Sequence, residues 1–249
     1  MKTKWIALFF LCIAASTAAV AADADTRCFE MRTYYVAPGK LDAELARMKD
    51  HALSLFEKHG FTSIGYWVPL DNPDNKLIYI IASPSREAHD KAWKEFIADP
   101  EWQKAREASE VNGKLVNKVE SIYLKATDFS PVPAASGGAT ARCFELRTYT
   151  PAPGKLDALQ ARFRDHTTAL FTRHGMTQIG YWTGGAEQQK EQLTYVLAHK
   201  DKAAAGASFK AFREDPEWIE AKRASEVDGP LTEKVESVFM TPTDFSPIR

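Results

Sequence analysis

Arg27-Cys28-Phe29-Glu30-Met31-Arg32-Thr33-Tyr34, followed after two residues by Ala37-Pro38-Gly39-Lys40-Leu41-Asp42, returns further along the chain. The second copies are Arg142-Cys143-Phe144-Glu145-Leu146-Arg147-Thr148-Tyr149 and Ala152-Pro153-Gly154-Lys155-Leu156-Asp157, at an offset of 115. Laid over each other without a gap, residues 27–68 and 142–183 agree at 27 of 42 positions, which shared composition does not produce. The chain is therefore read as two copies of one structural unit, each long enough to hold its own core.

Working outward, residues 28–35 alternate, with Phe29 and Met31 on one side and Glu30, Arg32 and Tyr34 on the other, which is the period of a strand. Pro38-Gly39 ends it. Leu41, Leu45, Met48, Ala52, Leu55 and Phe56 then lay one apolar stripe along a helix. His59-Gly60 closes that helix, with a cation-capable side chain at its negative end and a residue able to turn left-handed. Residues 61–68 read as a second strand in which Gly65 marks a bulge or a close backbone approach. Residues 77–82 are continuously apolar and read as a third, buried on both faces. Ser83-Pro84 and Asp99-Pro100 read as caps and first positions of two helices, and residues 119–124 as a fourth strand. The order is β-α-β-β-α-β, a ferredoxin-like unit.

Thr127-Asp128-Phe129-Ser130-Pro131 ends the first unit (27–131), and residues 132–141, rich in Ala, Gly and Ser, have linker composition. The second unit (142–249) repeats every step and ends on Thr243-Asp244-Phe245-Ser246-Pro247. Its hairpin, Gly184 to Gln192, is one residue longer, so the later offset is 116.

The N-terminus is set apart from the fold. Lys2 and Lys4 precede an apolar run from Trp5 to about Ala15, and then Ala18-Ala19-Val20-Ala21-Ala22, so residues 1–22 read as a secretory signal peptide cut after Ala21 or Ala22. Its apolar core is short for a membrane span, so stable membrane insertion is not expected after cleavage, and the expected location is periplasmic. Cleavage removes Cys12 and leaves Cys28 and Cys143 at equivalent positions. They read as small packed residues, and a bridge between them requires Cα atoms within about 7 Å.

Over the 249 residues, 45% hydrophobic and 26% charged content is that of an ordinary soluble protein, and a net charge of −1 with interleaved signs excludes a nucleic-acid footprint. The chain has no Cys-x-x-Cys, no His-Glu-x-x-His and no calcium-type carboxylate cluster, so no metal site is expected. It has no glycine-rich phosphate loop and no Gly-x-Ser-x-Gly turn, so no cofactor is assigned.

Phe-Glu-Met/Leu-Arg-Thr-Tyr, Pro-Gly-Lys-Leu, His-Gly, Gly65-Tyr66-Trp67 with Gly180-Tyr181-Trp182, Asp-Pro-Glu-Trp and Phe-Ser-Pro, taken together over nearly all of both units, resemble the NIPSNAP family in tandem. That resemblance implies an α+β chain in which two ferredoxin-like units set their sheets face to face as an intramolecular dimeric α/β barrel. Eukaryotic relatives are mitochondrial, from which the leader departs.

If the helix stripes take Phe29 and Met31, then Glu30, Arg32 and Tyr34 point into the barrel with Glu145, Arg147 and Tyr149, beside Tyr66 and Tyr181. Two readings of this set stand side by side. In one, Glu-Arg pairs satisfy each other as a buried network that shapes the interior. In the other, the arginines orient an anionic or carbonyl-bearing ligand, with carboxylates and tyrosines as acid or base groups. His51 and His166 flank the first helix of each unit as further candidates. His89 and His199 are not repeated. Three functions follow: binding of a small molecule or protein partner without catalysis, a cofactor-independent oxygenase or isomerase as in some dimeric α/β-barrel families, or scaffolding through a structural barrel. Further self-association stays open.

Overall fold

The computed structural model describes residues 25–136, 142–184 and 191–249. The leader and the tip of the second hairpin lie outside them. The first unit runs β1 (Cys28–Val36), helix α1 (residues 41–58), β2 (Thr62–Pro69), β3 (Lys76–Ser83), α2 (Arg86–Ala98), α3 (Pro100–Ser109) and β4 (Val116–Ala126). The second runs β5 (Cys143–Pro151), α4 (residues 156–173), β6 (Thr177–Gly184), β7 (Leu193–His199), α5 (Lys202–Glu214), α6 (Pro216–Ser225) and β8 (Thr232–Pro242). One π-helical turn interrupts each long helix, at Met48–Ala52 and at Phe163–Thr167. Ser85, not Ser83, caps α2, its hydroxyl accepting from the Ala88 amide, while Asp99 caps α3 as its sequence indicates. Ser83 instead ends β3.

All eight strands form one closed antiparallel barrel in the order β1-β3-β2-β8-β5-β7-β6-β4. The units join at two seams, β2 with β8 (Trp67 opposite Pro242) and β4 with β6 (Ala126 opposite Trp182). Closure leaves none of these strands with a free edge.

The barrel interior is apolar. Phe29, Met31, Trp67, Ile78, Ile80 and Leu124 meet Phe144, Leu146, Trp182, Val196 and Met240 there. The contacts cross the pseudo-twofold: Phe29 lies 5.7 Å from Trp182, and Trp67 lies 5.7 Å from Phe144, between ring centroids. Fully burying each such ring is worth roughly 2–3 kcal/mol. Gly65 and Gly180 make room for the tryptophans two residues on. A Cβ would stand 2.2 Å from the Trp67 ring at Gly65 and 2.4 Å from the Trp182 ring at Gly180. The strand is bulged at the same place, between Ser63 and Gly65.

The repeated Thr-Asp-Phe-Ser-Pro words are reciprocal clasps, each docked on the other unit. The Thr127 amide donates to the Tyr181 carbonyl, the Ser130 hydroxyl accepts from the Tyr181 amide at 2.9 Å, Asp128 pairs with Arg164, and Phe129 packs on Tyr181. In mirror fashion Thr243 and Ser246 bracket the Tyr66 backbone, Asp244 pairs with Lys49, and Phe245 packs on Tyr66.

Candidate functional site

The structure reverses the expected facing of β1 and β5. Phe29 and Met31 point into the barrel, whereas Glu30, Arg32 and Tyr34, with Glu145, Arg147 and Tyr149, point outward beneath the helices. Tyr66 and Tyr181 also lie in the helix-side cores rather than the barrel. The physical reason is solvation. A small closed barrel filled by side chains excludes water, and its interior here is lined by apolar groups and the two indoles of Trp67 and Trp182, too few polar partners to satisfy two Glu-Arg pairs. The helix side supplies polar partners from α2 and β4 and a route to solvent.

In the first unit Glu30 is the hub. One carboxylate oxygen accepts from Arg32 Nη1 at 2.7 Å and from the Ser121 hydroxyl of β4; the other accepts from His89 Nε2 at 2.8 Å and Trp93 Nε1 at 2.7 Å. A carboxylate only accepts, so His89 carries its proton on Nε2, and its Nδ1 meets the Ser83 hydroxyl at 3.0 Å. Burial opposes the Glu30 charge, but the bonds from His89, Ser121 and Trp93 and the Arg32 charge outweigh it and hold the carboxyl down at about 2. It is an anchor rather than a base.

Arg32 is what it anchors. The guanidinium lies 4.3 Å from the centroid of the Trp93 ring and 5.6 Å from that of Tyr34. Its Nε is buried without a partner, and Nη1 is committed to Glu30. Burial opposes its charge, yet Tyr79, Tyr34 and Glu30 raise its basicity, so it stays a cation. Beside it opens a cleft of about 470 Å³, walled by Tyr34, Trp93, Phe96, Ile97 and Trp102, with Tyr123 and Ser121 on β4 opposite. The cleft exists because the helices cover β1 to β3 and leave most of β4 bare, Lys118 to Glu120 being exposed.

The second unit keeps the ion pair and changes its surroundings. Glu145 accepts from Arg147 Nη1 at 2.7 Å, Ser237 at 2.6 Å and His199 Nε2 at 3.2 Å. Here the imidazole comes from the end of β7, at the position of Ser83, while Ala205 stands where the first unit has His89. Phe209 and Phe239 replace Trp93 and Tyr123. The Arg147 Nη2 is turned to the Tyr149 hydroxyl at 3.3 Å.

The other candidates fall elsewhere. His51 sits exposed on the π-turn of α1 and His166 half-buried on that of α4; neither lines the cleft. His59 and His174 bond the capping carboxylates Asp99 and Asp215 at 2.8 Å, tying each long helix to its neighbour. Cys28 and Cys143 are not joined in a disulfide. Among the described residues no three His, Cys, Asp or Glu side chains gather to hold a metal ion. Glu44 of α1 is also buried; it pairs with Arg47 at 2.5 Å, leaves its other oxygen unpartnered, and is pushed up to about 7 by burial against the pull of Arg47. The second unit has Leu159 there.

The residues that sequence reasoning missed are His89, Trp93, Ser121 and Tyr123. The signal for the aromatic pair was Trp93 one helical turn after His89 on a helix beside a Glu-Arg strand; nothing in one dimension linked His89 to His199.

Two ferredoxin-like units closing one eight-stranded barrel, with an ion-paired arginine beneath the helices, define a dimeric α/β barrel joined in one chain. The family model for NIPSNAP matches residues 29–131 and again 144–247, and the chain belongs to that family. Its fold is similar over most of its length to that of a candidate monooxygenase from Lactobacillus acidophilus NCFM (14% identity, 88% of this chain and 94% of the other, TM-score 0.57). An anthrone oxidase-like protein is similar at 12% identity, 90% and 94% coverage and a TM-score of 0.56. A NIPSNAP domain protein from Burkholderia xenovorans matches 42% of this chain with 98% of its own, at 24% identity and a TM-score of 0.37. No curated protein matches the chain.

Proposed function

We propose that the cleft of the first unit binds a small, flat molecule that presents an anionic or carbonyl oxygen to Arg32, and that the chain does so without performing chemistry on it. The observation that carries this reading is the state of Arg32. It is held in place by Glu30, stacked on Trp93, and opens uncommitted donor capacity on a cleft of about 470 Å³. Guanidinium donors fixed in this way recognise planar oxygen groups. The aromatic walls supply the flat apolar contact. The absence of chemistry follows from Glu30, which four donors keep ionised and weakly basic, so it is ill suited to take a proton from a ligand.

The leader is proposed to export the protein, with the mature chain beginning at Ala22 or Asp23; N-terminal sequencing of the periplasmic fraction tests this. For the ligand, the purified protein is extracted and its small molecules are identified by mass spectrometry. Arg32→Gln is expected to lose the bound compound and Arg147→Gln to keep it. Retention by Arg32→Gln sinks the proposal. The similar folds named for monooxygenase and oxidase activity make turnover the rival reading, and consumption of oxygen with conversion of the extracted compound would favour it over binding alone.

A further inference from the structure

The two units differ in charge where the second and third helices of each meet. In the second unit a groove of about 370 Å³ runs between α5 and α6, lined by Arg213, Trp218, Ile219, Lys222, Arg223 and Glu226. The same six places in the first unit hold Ile97, Trp102, Gln103, Arg106, Glu107 and Glu110. The tryptophan is kept, while an isoleucine has become an arginine and a glutamate another arginine. Three cations against one carboxylate face one cation against two.

The commitments of these charges decide which are available. Arg223 is held by Glu220 through two bonds, at 2.9 and 2.5 Å. Glu226 is taken by Arg162 at 2.7 Å, and Lys222 approaches it only to 4.0 Å. Arg213 is exposed and makes no hydrogen bond or ion pair among the described residues. Arg213 is thus left without a partner among the described residues and Lys222 keeps only that long contact with Glu226, both lining the groove with Trp218. That ring is fixed from within, 4.4 Å from the Phe212 centroid and 5.2 Å from the Arg162 guanidinium, and Ile219 beside it is 55% exposed. A preset aromatic floor with an exposed aliphatic neighbour, one unpaired cation and one loosely held one is complementary to a molecule that is apolar at one end and negative at the other.

We propose that this groove is a second binding site, independent of the first cleft, for a small organic anion. Its carboxylate, sulfonate or phosphate head lies between Arg213 and Lys222, and its apolar body lies along Trp218 and Ile219.

The test uses the ¹⁵N-labelled protein and follows the indole N–H signal of Trp218, assigned through Trp218→Phe, during titration with naphthalene-2-sulfonate. Saturable movement of that signal is expected. Arg213→Ile combined with Lys222→Gln is expected to weaken binding at least tenfold; both side chains are exposed, so the fold is retained. Arg32→Gln should leave the titration unchanged, which separates this groove from the first cleft. An unmoved Trp218 signal overturns the proposal, as does a double variant that binds like the parent. Inorganic phosphate that binds as tightly as the sulfonate would reduce the groove to unspecific anion attraction, and 1-naphthylmethylammonium that binds as tightly would remove the role of charge; either result overturns it.

Discussion

The two units solve one problem with different residues. Each buries a glutamate that must hold an arginine, and each gives that glutamate an imidazole, but His89 reaches it from a helix and His199 from the end of a strand. Ser83 and His89 in one unit stand against His199 and Ala205 in the other, so the interaction persisted while the residue supplying it moved. The ion pair with its imidazole is therefore a requirement of the architecture. The indole and phenol that open beside it in the first unit became Phe209 and Phe239 in the second, so they answer to something other than folding.

The comparison breaks most readily at the hub itself. Removing one member of a buried hydrogen-bonded charge pair costs about 3–5 kcal/mol. Glu30→Ala is expected to fall in that range, and Glu145→Ala to cost about 1 kcal/mol less because one donor fewer is stranded. Urea denaturation of both variants reads the difference, and equal losses would show that Trp93 adds nothing to the anchor.

A second contrast is Glu44 against Leu159. The folded-state value of Glu44 lies near 7, above the ordinary 4.5, so between those limits the folded protein holds a proton that the unfolded chain has released. Stability therefore falls as pH rises through that window, by roughly 2–3 kcal/mol, and stays low above it. Glu44→Leu, copying the second unit, is expected to remove the slope and to stabilise the protein at pH 8 by a similar amount. Thermal denaturation at pH 5 and pH 8 checks both, and an unchanged slope assigns the titration elsewhere.

The smallest effect is a coupling. Transplanting the second unit's arrangement by Ser83→His with His89→Ala should restore most of what each single change loses. The expected interaction energy in the double-mutant cycle is about 1–2 kcal/mol. Strict additivity would mean that the two histidines are not alternative sources of one bond.

Much of this was legible in one dimension. The repeat, the succession of strands and helices, the Asp99 cap and the bulge at Gly65 all follow from local pattern, and local geometry decides them. The facing of β1 was not legible, because a period of two sorts Phe29 and Met31 from Glu30 and Arg32 without saying which set meets the partner sheet. Both sides of that strand are covered, and the choice is made by donors some sixty to ninety residues away, His89, Trp93 and Ser121. The clasps were equally hidden. Thr-Asp-Phe-Ser-Pro looks like punctuation at the end of a unit until its partner, the backbone of Tyr181 or Tyr66, is seen on the other half.

Those crossed tails bear on how dilute the molecule can become. Separate halves bound in this way would come apart as their concentration dropped below the dissociation constant. Tethering by a short connector replaces that bulk concentration with a local one of about millimolar order, fixed by connector length. The assembled state thus owes nothing to abundance, and a cell can keep a handful of copies intact.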